Sequence, residues 1–297
     1  MAKILKVNLP GDYCSYVGAE SRHPLVAVID YDAISPVPSS LNDYGVYGVF
    51  IHSEVRDDIK YGLGEFGHTT GTLICVAPGQ LGGREDDGTL IDLDGYALLF
   101  HPDLLIGTRL ERDIRQFSFF DYSANEALYM EESEREIIAS LMRSISDELH
   151  RPADSEQNAI VTSYISAMLH YCNRAYNRQF SIMAQSGDDL LVKLSSLIND
   201  YYENGEQFST GVPGTQLFAD KLCMSPNYFS DLLKKSTGET AGNFIRRQIV
   251  RMAKNRLAAT GNVSQVAYDL GFKYPQHFSR MFKNHTGMTP SQYLASL

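Results

Sequence analysis

The sequence runs to 297 residues, 43% of them hydrophobic, with a formal net charge of −10. That length predicts about two domains of an ordinary globular kind. No apolar run approaches the roughly 18 residues of a bilayer span, and Met1 to Pro10 lack the apolar stretch of a signal peptide, so neither a membrane protein nor a secreted one is expected. Cys14, Cys75, Cys172 and Cys223 are scattered without a C-x-x-C pair, which reads as reduced thiols in a cytoplasmic protein. The charge is unevenly spread. Residues 215–297 hold 11 Lys+Arg against 4 Asp+Glu, whereas residues 1–214 hold 15 against 32. A basic end beside an acidic body is the pattern of a chain that meets a polyanion through one end and resists non-specific adhesion elsewhere.

From the N-terminus, residues 1–122 predict a β-rich domain. Short apolar or alternating runs occur at 3–9, 25–31, 46–52, 59–66, 72–77, 89–93 and 96–101. Turn-forming clusters separate them: Pro10-Gly11-Asp12, Pro36 to Ser40, Pro78-Gly79-Gln80, Gly82 to Gly88, and Asp94-Gly95. Many short strands with regular turns predict a sandwich or a small barrel. Residues 124–149 and 154–183 predict two helices, parted at Arg151-Pro152, with Asp154 capping the second. Ile160, Val161, Tyr164, Ile165, Met168, Leu169 and Cys172 give that second helix an apolar surface wider than one stripe. Ile165 and Met168 are therefore candidates for contact with a second subunit. Ser186-Gly187-Asp188 reads as a linker, a further helix covers about 189–203, and Asn204-Gly205 closes it.

Residues 215–293 contain an internal repeat. Pro226, Phe229, Ser230, Lys234, Thr237 and Gly238 recur 49 positions later as Pro275, Phe278, Ser279, Lys283, Thr286 and Gly287. Ala219 and Leu222 match Ala267 and Leu270 at an offset of 48, so the turn of the second unit is one residue longer. A repeated supersecondary unit is an architectural signal. Each copy reads as two helices joined by a short turn. In the first, Thr215 to Leu222 is followed by the turn Cys223-Met224; Ser225 caps, Pro226 starts, and Gly238 ends the second helix. Phe229, Leu232 and Leu233 face inward, leaving Asn227, Tyr228, Ser230, Asp231, Lys234 and Lys235 outward. In the second copy Val263, Val266, Ala267 and Leu270 build the first helix, capped by Ser264 or Asn262. Gly271-Phe272-Lys273 makes the turn. Phe278, Met281 and Phe282 bury, while Lys273, Gln276, Ser279, Arg280, Lys283 and Asn284 stay outward. Between the copies, Thr240 caps a helix of about 18 residues ending near Gly261, whose apolar face would hold the copies at one separation.

These stretches resemble the AraC/XylS family of bacterial transcription regulators. The matching pieces are L-F-A-D-K-L at 217–222, S-P-N-Y-F-S-D-L-L-K-K-S-T-G at 225–238, V-A-Y-D-L-G-F at 266–272 and H-F-S-R-M-F-K-N-H-T-G-M-T-P-S-Q-Y at 277–293. A-P-G-Q at 77–80 and G-Y-A-L-L-F-H-P-D-L-L at 95–105 resemble the family's N-terminal part less specifically. The resemblance implies an α+β multidomain fold: a cupin-like sensor barrel with packed helices, then an all-α domain of two helix-turn-helix units joined by a long helix. The expected divisions are 1–122 for the barrel, 123–185 for a helical dimerisation or packing segment, and 186–297 for the DNA-binding domain. It further implies a transcription regulator, an activator or a repressor, with double-stranded DNA, RNA polymerase, a second copy of the chain and an unidentified small-molecule effector as partners. One departure stands out: the family often has a basic or amide residue where this chain has Asp231. An acid there accepts from a cytosine amino group or pairs with a neighbouring Lys, and the sequence leaves both open.

On that reading the base-contact candidates are Asn227, Ser230, Asp231, Gln276, Ser279 and Arg280, and the phosphate-contact candidates are Lys234, Lys235, Lys273, Lys283 and Asn284. A second class stays open, a cupin-type enzyme or carrier whose C-terminal helices only mediate protein contacts. The outward faces discriminate, because a protein-contact face would be more apolar. Metal-binding cupins place two His one residue apart with an acid and a further His. Here His23, His52, His68 and His101 include no H-x-H, and only Asp94 with His101 could meet, so no metal, cofactor or catalytic residue is expected. The 82–88 cluster reads as a hairpin loop, not a calcium loop. Tyr31, Tyr44, Tyr47, Phe50, Tyr61, Phe66 and Tyr96 are core residues or the wall of an effector site. Without a sheet register no effector-binding residue can be chosen.

Overall fold

A computed structural model describes residues 4–53, 71–84, 88–122, 126–185 and 188–296. The expected strand at 59–66, Tyr61, Phe66, His68 and the linker residues Ser186-Gly187 lie outside the described residues. The chain divides into two compact units, Met1–Gln179 and Phe180–Leu297, with the division inside one long helix.

In the first unit the described strands are β1 (Ile4–Val7), β2 (Val26–Asp30), β3 (Val37–Pro38), β4 (Leu41–Tyr44), β5 (Tyr47–His52), β6 (Thr72–Val76), β7 (Leu81–Gly83), β8 (Leu90–Ile91), β9 (Tyr96–Phe100) and β10 (Leu128–Tyr129). The helices are α1 (Pro10–Val17), α2 (Tyr31–Ile34), α3 (Leu110–Asp113), α4 (Glu132–Leu149) and α5 (Gln157–Gln185), with 3-10 turns between Pro102 and Asp121. β10, β6, β5, β9 and β2 form an antiparallel five-stranded sheet. β1, β4 and β7 form a second sheet in which β1 and β4 run parallel, and β3 pairs with β8. The described strands form no closed barrel, and the expected cupin-like architecture is not confirmed by them. Closure needs every edge to find a partner, and among the described residues β2 and β10 stand at the edges of their sheet.

The centre of the large sheet follows from its sequence. β5 reads Y-G-V-F-I-H and β9 reads Y-A-L-L-F, continuous apolar runs that suit strands covered on both faces, and all but the first residue of each is buried. Tyr31, Tyr44 and Phe50 pack with Tyr13 into one core. Tyr13 and Tyr31 share a hydroxyl hydrogen bond of 2.9 Å, and burial raises the pKa of both. Full burial of such side chains stabilises by about 1.5–3 kcal/mol each. The A-P-G-Q run acts as a tie: the Gln80 amide accepts from Ala77 N–H at 2.9 Å and donates to the Phe120 carbonyl at 2.9 Å. Asp94 meets His52, not His101. The His52 ring nitrogen lies 3.6 Å from its carboxylate, and Ser53 N–H donates to it at 2.9 Å. These bonds, the one to His52 foremost, hold the Asp94 carboxyl at about 2, below the usual 3.8. Among the described residues no group of three His, Cys, Asp or Glu stands together as metal ligands.

Three readings of this unit are corrected. Pro10-Gly11-Asp12 is not a turn but the start of α1. Pro10 fits the first helical position, Asp12 accepts from Leu9 N–H at 2.8 Å, and Pro10, Tyr13, Cys14 and Val17 bury at i, i+3, i+4 and i+7. The helix expected at 124–149 begins at Glu132, because Leu128 and Tyr129 are taken into the sheet beside β6. Ile165 and Met168 are both 0% exposed, so their side chains are core and not a surface for a second subunit. α5 is pinned to its own unit by Arg178, which reaches Glu134 at 2.7 Å and the Tyr129 carbonyl at 2.6 Å, and by Gln179, which accepts from Tyr129 N–H at 2.9 Å. The Asp154 cap stands as expected, accepting from Gln157 N–H at 3.0 Å.

The second unit is helical. It holds α6 (Asp188–Glu203), α7 (Gln207–Thr210), α8 (Thr215–Lys221), α9 (Pro226–Thr237), α10 (Ala241–Thr260), α11 (Val263–Asp269), α12 (Pro275–Thr286) and α13 (Pro290–Leu294). α10 buries Phe244, Ile245, Ile249, Ala253 and Leu257, the spacing of one helical face. α6 buries Leu194, Ile198, Tyr201 and Tyr202. Its Tyr202 hydroxyl donates to the Leu270 carbonyl at 3.4 Å, and Tyr201 donates to the Gly211 carbonyl at 2.7 Å. No helix among the described residues is long and apolar enough to cross a membrane.

Candidate nucleic-acid interface

The two helix pairs α8–α9 and α11–α12 repeat in three dimensions as they do in sequence. Ser225 caps α9 by accepting from Tyr228 N–H, and Asn262 caps α11 by accepting from Gln265 N–H at 3.0 Å. α9 and α12 each start on a proline and each end on a left-handed glycine, Gly238 at φ 79° and Gly287 at φ 81°. Phe229, Leu232 and Leu233 are buried in the first unit, and Phe278 and Phe282 in the second. The apolar anchors thus fix which face of each second helix is left for solvent.

On α9 that face carries Asn227, Lys234 and Lys235, all exposed, and Asp231, half-buried. Ser230 departs from the expectation. It is half-buried, and its hydroxyl accepts from Ala241 N–H over a long 3.4 Å, which engages it with the start of α10. Tyr228, expected outward, is buried: its ring meets Phe180 edge-on at 5.1 Å and its hydroxyl approaches the Met183 sulfur at 3.3 Å. On α12 the exposed face carries Gln276, Arg280, Lys283 and Asn284, with Ser279 half-buried. Lys273, in the turn before α12, is exposed and rests 5.7 Å from the Tyr274 ring centre. The fold therefore gathers Gln276, Arg280, Lys283 and Asn284 on one helix and Asn227, Lys234 and Lys235 on the other.

An open groove of about 770 Å³ lies between the first half of α10 and α12. Arg246 and Arg247 line one wall, with Glu239 at its end; His277, Arg280 and His285 line the other. Sequence reasoning treated α10 only as an apolar spacer and missed this wall. A signal was present, because Arg247 and Arg251 fall on the side of the helix opposite Ile245, Ile249 and Ala253; Arg246 lies in line with Ile249 and Ala253 one turn nearer the helix start, and all three arginines are exposed.

A family model described as "Helix-turn-helix domain" matches residues 218–296. The uncharacterized transcriptional regulatory protein YesN of Bacillus subtilis is 35% identical over 77 residues, which are 25% of this chain and 21% of that protein. The uncharacterized HTH-type transcriptional regulator YtdP of the same organism is 37% identical over 76 residues, 25% of this chain and 10% of that protein. The HTH-type transcriptional activator RhaS of Yersinia pestis is 30% identical over 114 residues, 38% of this chain and 40% of that protein. The chain thus spans well under half the length of each of these curated relatives. The match to a solved structure of ToxT from Vibrio cholerae covers 92% of this chain and 97% of that one at 13% identity, with a TM-score of 0.31.

Proposed function

Residues 218–296 belong to the AraC-type helix-turn-helix family, and from that premise we propose that the chain is a sequence-specific, double-stranded DNA-binding transcription regulator controlled by its N-terminal unit. The observation that carries this is the pair of outward helix faces. Lys234, Lys235, Arg280 and Lys283 are exposed beside Asn227, Gln276 and Asn284, while the aromatic anchors of both units are buried. A protein-docking face would be apolar; these faces are cationic and rich in amides, as phosphate contact and base readout require. Each of α9 and α12 would enter a major groove on one side of the duplex, about one helical turn (~34 Å) apart. Gln276 and Arg280 would read base edges, and Lys234, Lys235 and Lys283 would hold phosphates. Duplexes selected from a random pool by the full chain, then footprinted at about 100 mM salt, test this. Protection of two adjacent major grooves is expected, and protection of one groove or none overturns the reading.

The remaining parts of the proposal are a cytoplasmic location, RNA polymerase as partner at an activated promoter, an effector bound by the first unit, and a homodimer. A second tethered DNA-binding region raises local concentration and can gain a factor of about 10²–10⁴ in avidity, so an effector that favours one arrangement over another would switch occupancy. Light scattering of the purified chain tests the dimer. A monomer at micromolar concentration, with and without DNA, removes it.

A further inference from the structure

We propose that the groove between α10 and α12 seats the sugar-phosphate backbone of the bound duplex, on the stretch that runs between the two helix-turn-helix contacts, with Arg246 as its principal phosphate ligand. This rests on the DNA-binding reading above. The groove has one acid, Glu239, and its carboxylate is already held by Arg247 at 2.6 Å. The charge left over comes from Arg246 and Arg280. Among the described residues Arg246 donates only to the neutral Asn243 side chain, at 3.2 Å, and Arg280 makes no ion pair. Two guanidinium groups therefore face one open groove without an anion between them, and a guanidinium presents a planar fork that matches phosphate oxygens two at a time.

The form of the groove selects the kind of anion. A site for a free small molecule is enclosed and mainly apolar with a few polar groups. This one is open, and Met281 is the apolar side chain among cations, imidazoles and amides. An open cationic trough suits a polymer that passes through. It is also continuous with the reading face, because Arg280 and Asn284 belong both to the groove and to the outward side of α12. A duplex that receives α12 in one major groove and α9 in the next must carry its backbone across the interval between them, and α10 joins the two units there.

The test uses the full-length chain on its selected site and on a random duplex of equal length, with affinity measured over a range of salt. R246A is expected to weaken both duplexes by the same factor and to reduce the salt slope by about 0.9 for the one phosphate lost. E239Q is expected to do the opposite, tightening both duplexes and steepening the slope, because it frees Arg247 into the groove. A gain of affinity cannot arise from misfolding, so the pair stays decisive even if R246A is unstable. Ethylation interference should mark phosphates between the two protected major grooves in the wild type and lose that mark in R246A. If the wild type protects both grooves while R246A and E239Q leave affinity, slope and interference unchanged, this inference fails and the DNA-binding reading stands. A wild type that binds no duplex overturns both.

Discussion

The two helix-turn-helix units share a hydrogen-bond pattern but hold their turns differently. In both, a threonine near the end of the second helix donates back one turn and accepts from the segment that follows. Thr237 donates to the Leu233 carbonyl at 2.8 Å and accepts from Glu239 N–H at 3.3 Å; Thr286 donates to the Phe282 carbonyl at 2.8 Å and accepts from Met288 N–H at 3.4 Å. The turns differ at one equivalent position. The first unit has Cys223 at φ 57°, exposed to solvent; the second has Gly271 at φ 86°. Gly271 is pressed against its surroundings, since a Cβ there would lie 2.7 Å from the Gly211 carbonyl carbon and 3.0 Å from Gln207. The same turn receives hydrogen bonds from Tyr202, Gln207 and Arg256. A backbone conformation that both units need is thus built with glycine where the turn is buttressed and with a side chain where it opens to water. The units differ in charge as well. α9 offers an acid, Asp231, on its outward face, whereas α12 offers Arg280, so the second unit is equipped for the stronger phosphate and guanine contacts.

G271A tests the buttressing of the second turn most severely. The left-handed φ costs a side chain about 1–2 kcal/mol, and the close approach of Gly211 adds an overpacking cost of about 1–3 kcal/mol. A loss of roughly 2–5 kcal/mol is expected on these two grounds together. Denaturant unfolding of the full chain, followed by helical signal, measures it. A loss below 1 kcal/mol would mean that the α6–α7 segment yields and does not buttress the second turn. Next in size is R280A, which leaves folding intact and costs about 1–3 kcal/mol on the selected duplex with relaxed preference at one base position. Unchanged affinity and unchanged preference would remove Arg280 from the reading face. D231A probes the odd residue of the first unit: tighter binding with looser base preference is the expected outcome if the acid serves discrimination.

The C-terminal architecture was legible because its signals are local and doubled. Two Pro starts, two Gly ends and the recurring Phe229 and Phe278 fix the helices and their inward faces without any long-range information. Tyr228 and Ser230 escaped that logic. A helical pattern assigns both to the outside, yet Tyr228 finds Phe180 and Met183, and Ser230 finds the first free N–H of α10. Those partners come from separate elements that periodicity on α9 cannot see. In the first unit the central strands β5 and β9 were legible as continuous apolar runs. β4 and β7 were not, because L-N-D-Y and L-G-G look like turns until pairing with neighbours makes them strands. Ile165 and Met168 show the same limit in reverse: an apolar face is visible in the sequence, but whether it is core or interface depends on what the rest of the chain lays upon it.

A smaller effect comes from the matched serines Ser230 and Ser279. Ser230 accepts from Ala241 N–H, and the position equivalent to Ala241 in the second unit is Pro290, which has no N–H to give. S230A is therefore expected to cost about 1 kcal/mol of folding stability, the size of a lost helix cap, with little change in base preference. S279A should leave stability within about 0.5 kcal/mol, the range of surface substitutions, and act on DNA affinity instead. Equal stability losses in the two variants would show that Ser230 is no cap and return it to the reading face.

The smallest effect, and the one that bears most directly on the two turns, is C223G. Cys223 is the one non-glycine among the described residues with a positive φ, and in a side chain that conformation costs about 1–2 kcal/mol. Glycine removes the strain but adds roughly 0.5–1 kcal/mol of unfolded-chain entropy. The net is a gain of about 0.5 kcal/mol in stability from these opposing terms, opposite in sign to G271A at the equivalent place. A thiol reagent checks the premise independently. Cys14, Cys75 and Cys172 are buried, and burial pushes the Cys14 thiol up to about 11 and that of Cys172 to about 12, so neither reacts readily in the folded chain. Cys223 is exposed, so the native protein should consume one equivalent of reagent quickly and C223G none. If C223G instead destabilises by as much as G271A, the first turn is held by packing like the second, and the contrast between a buttressed turn and an open one is wrong.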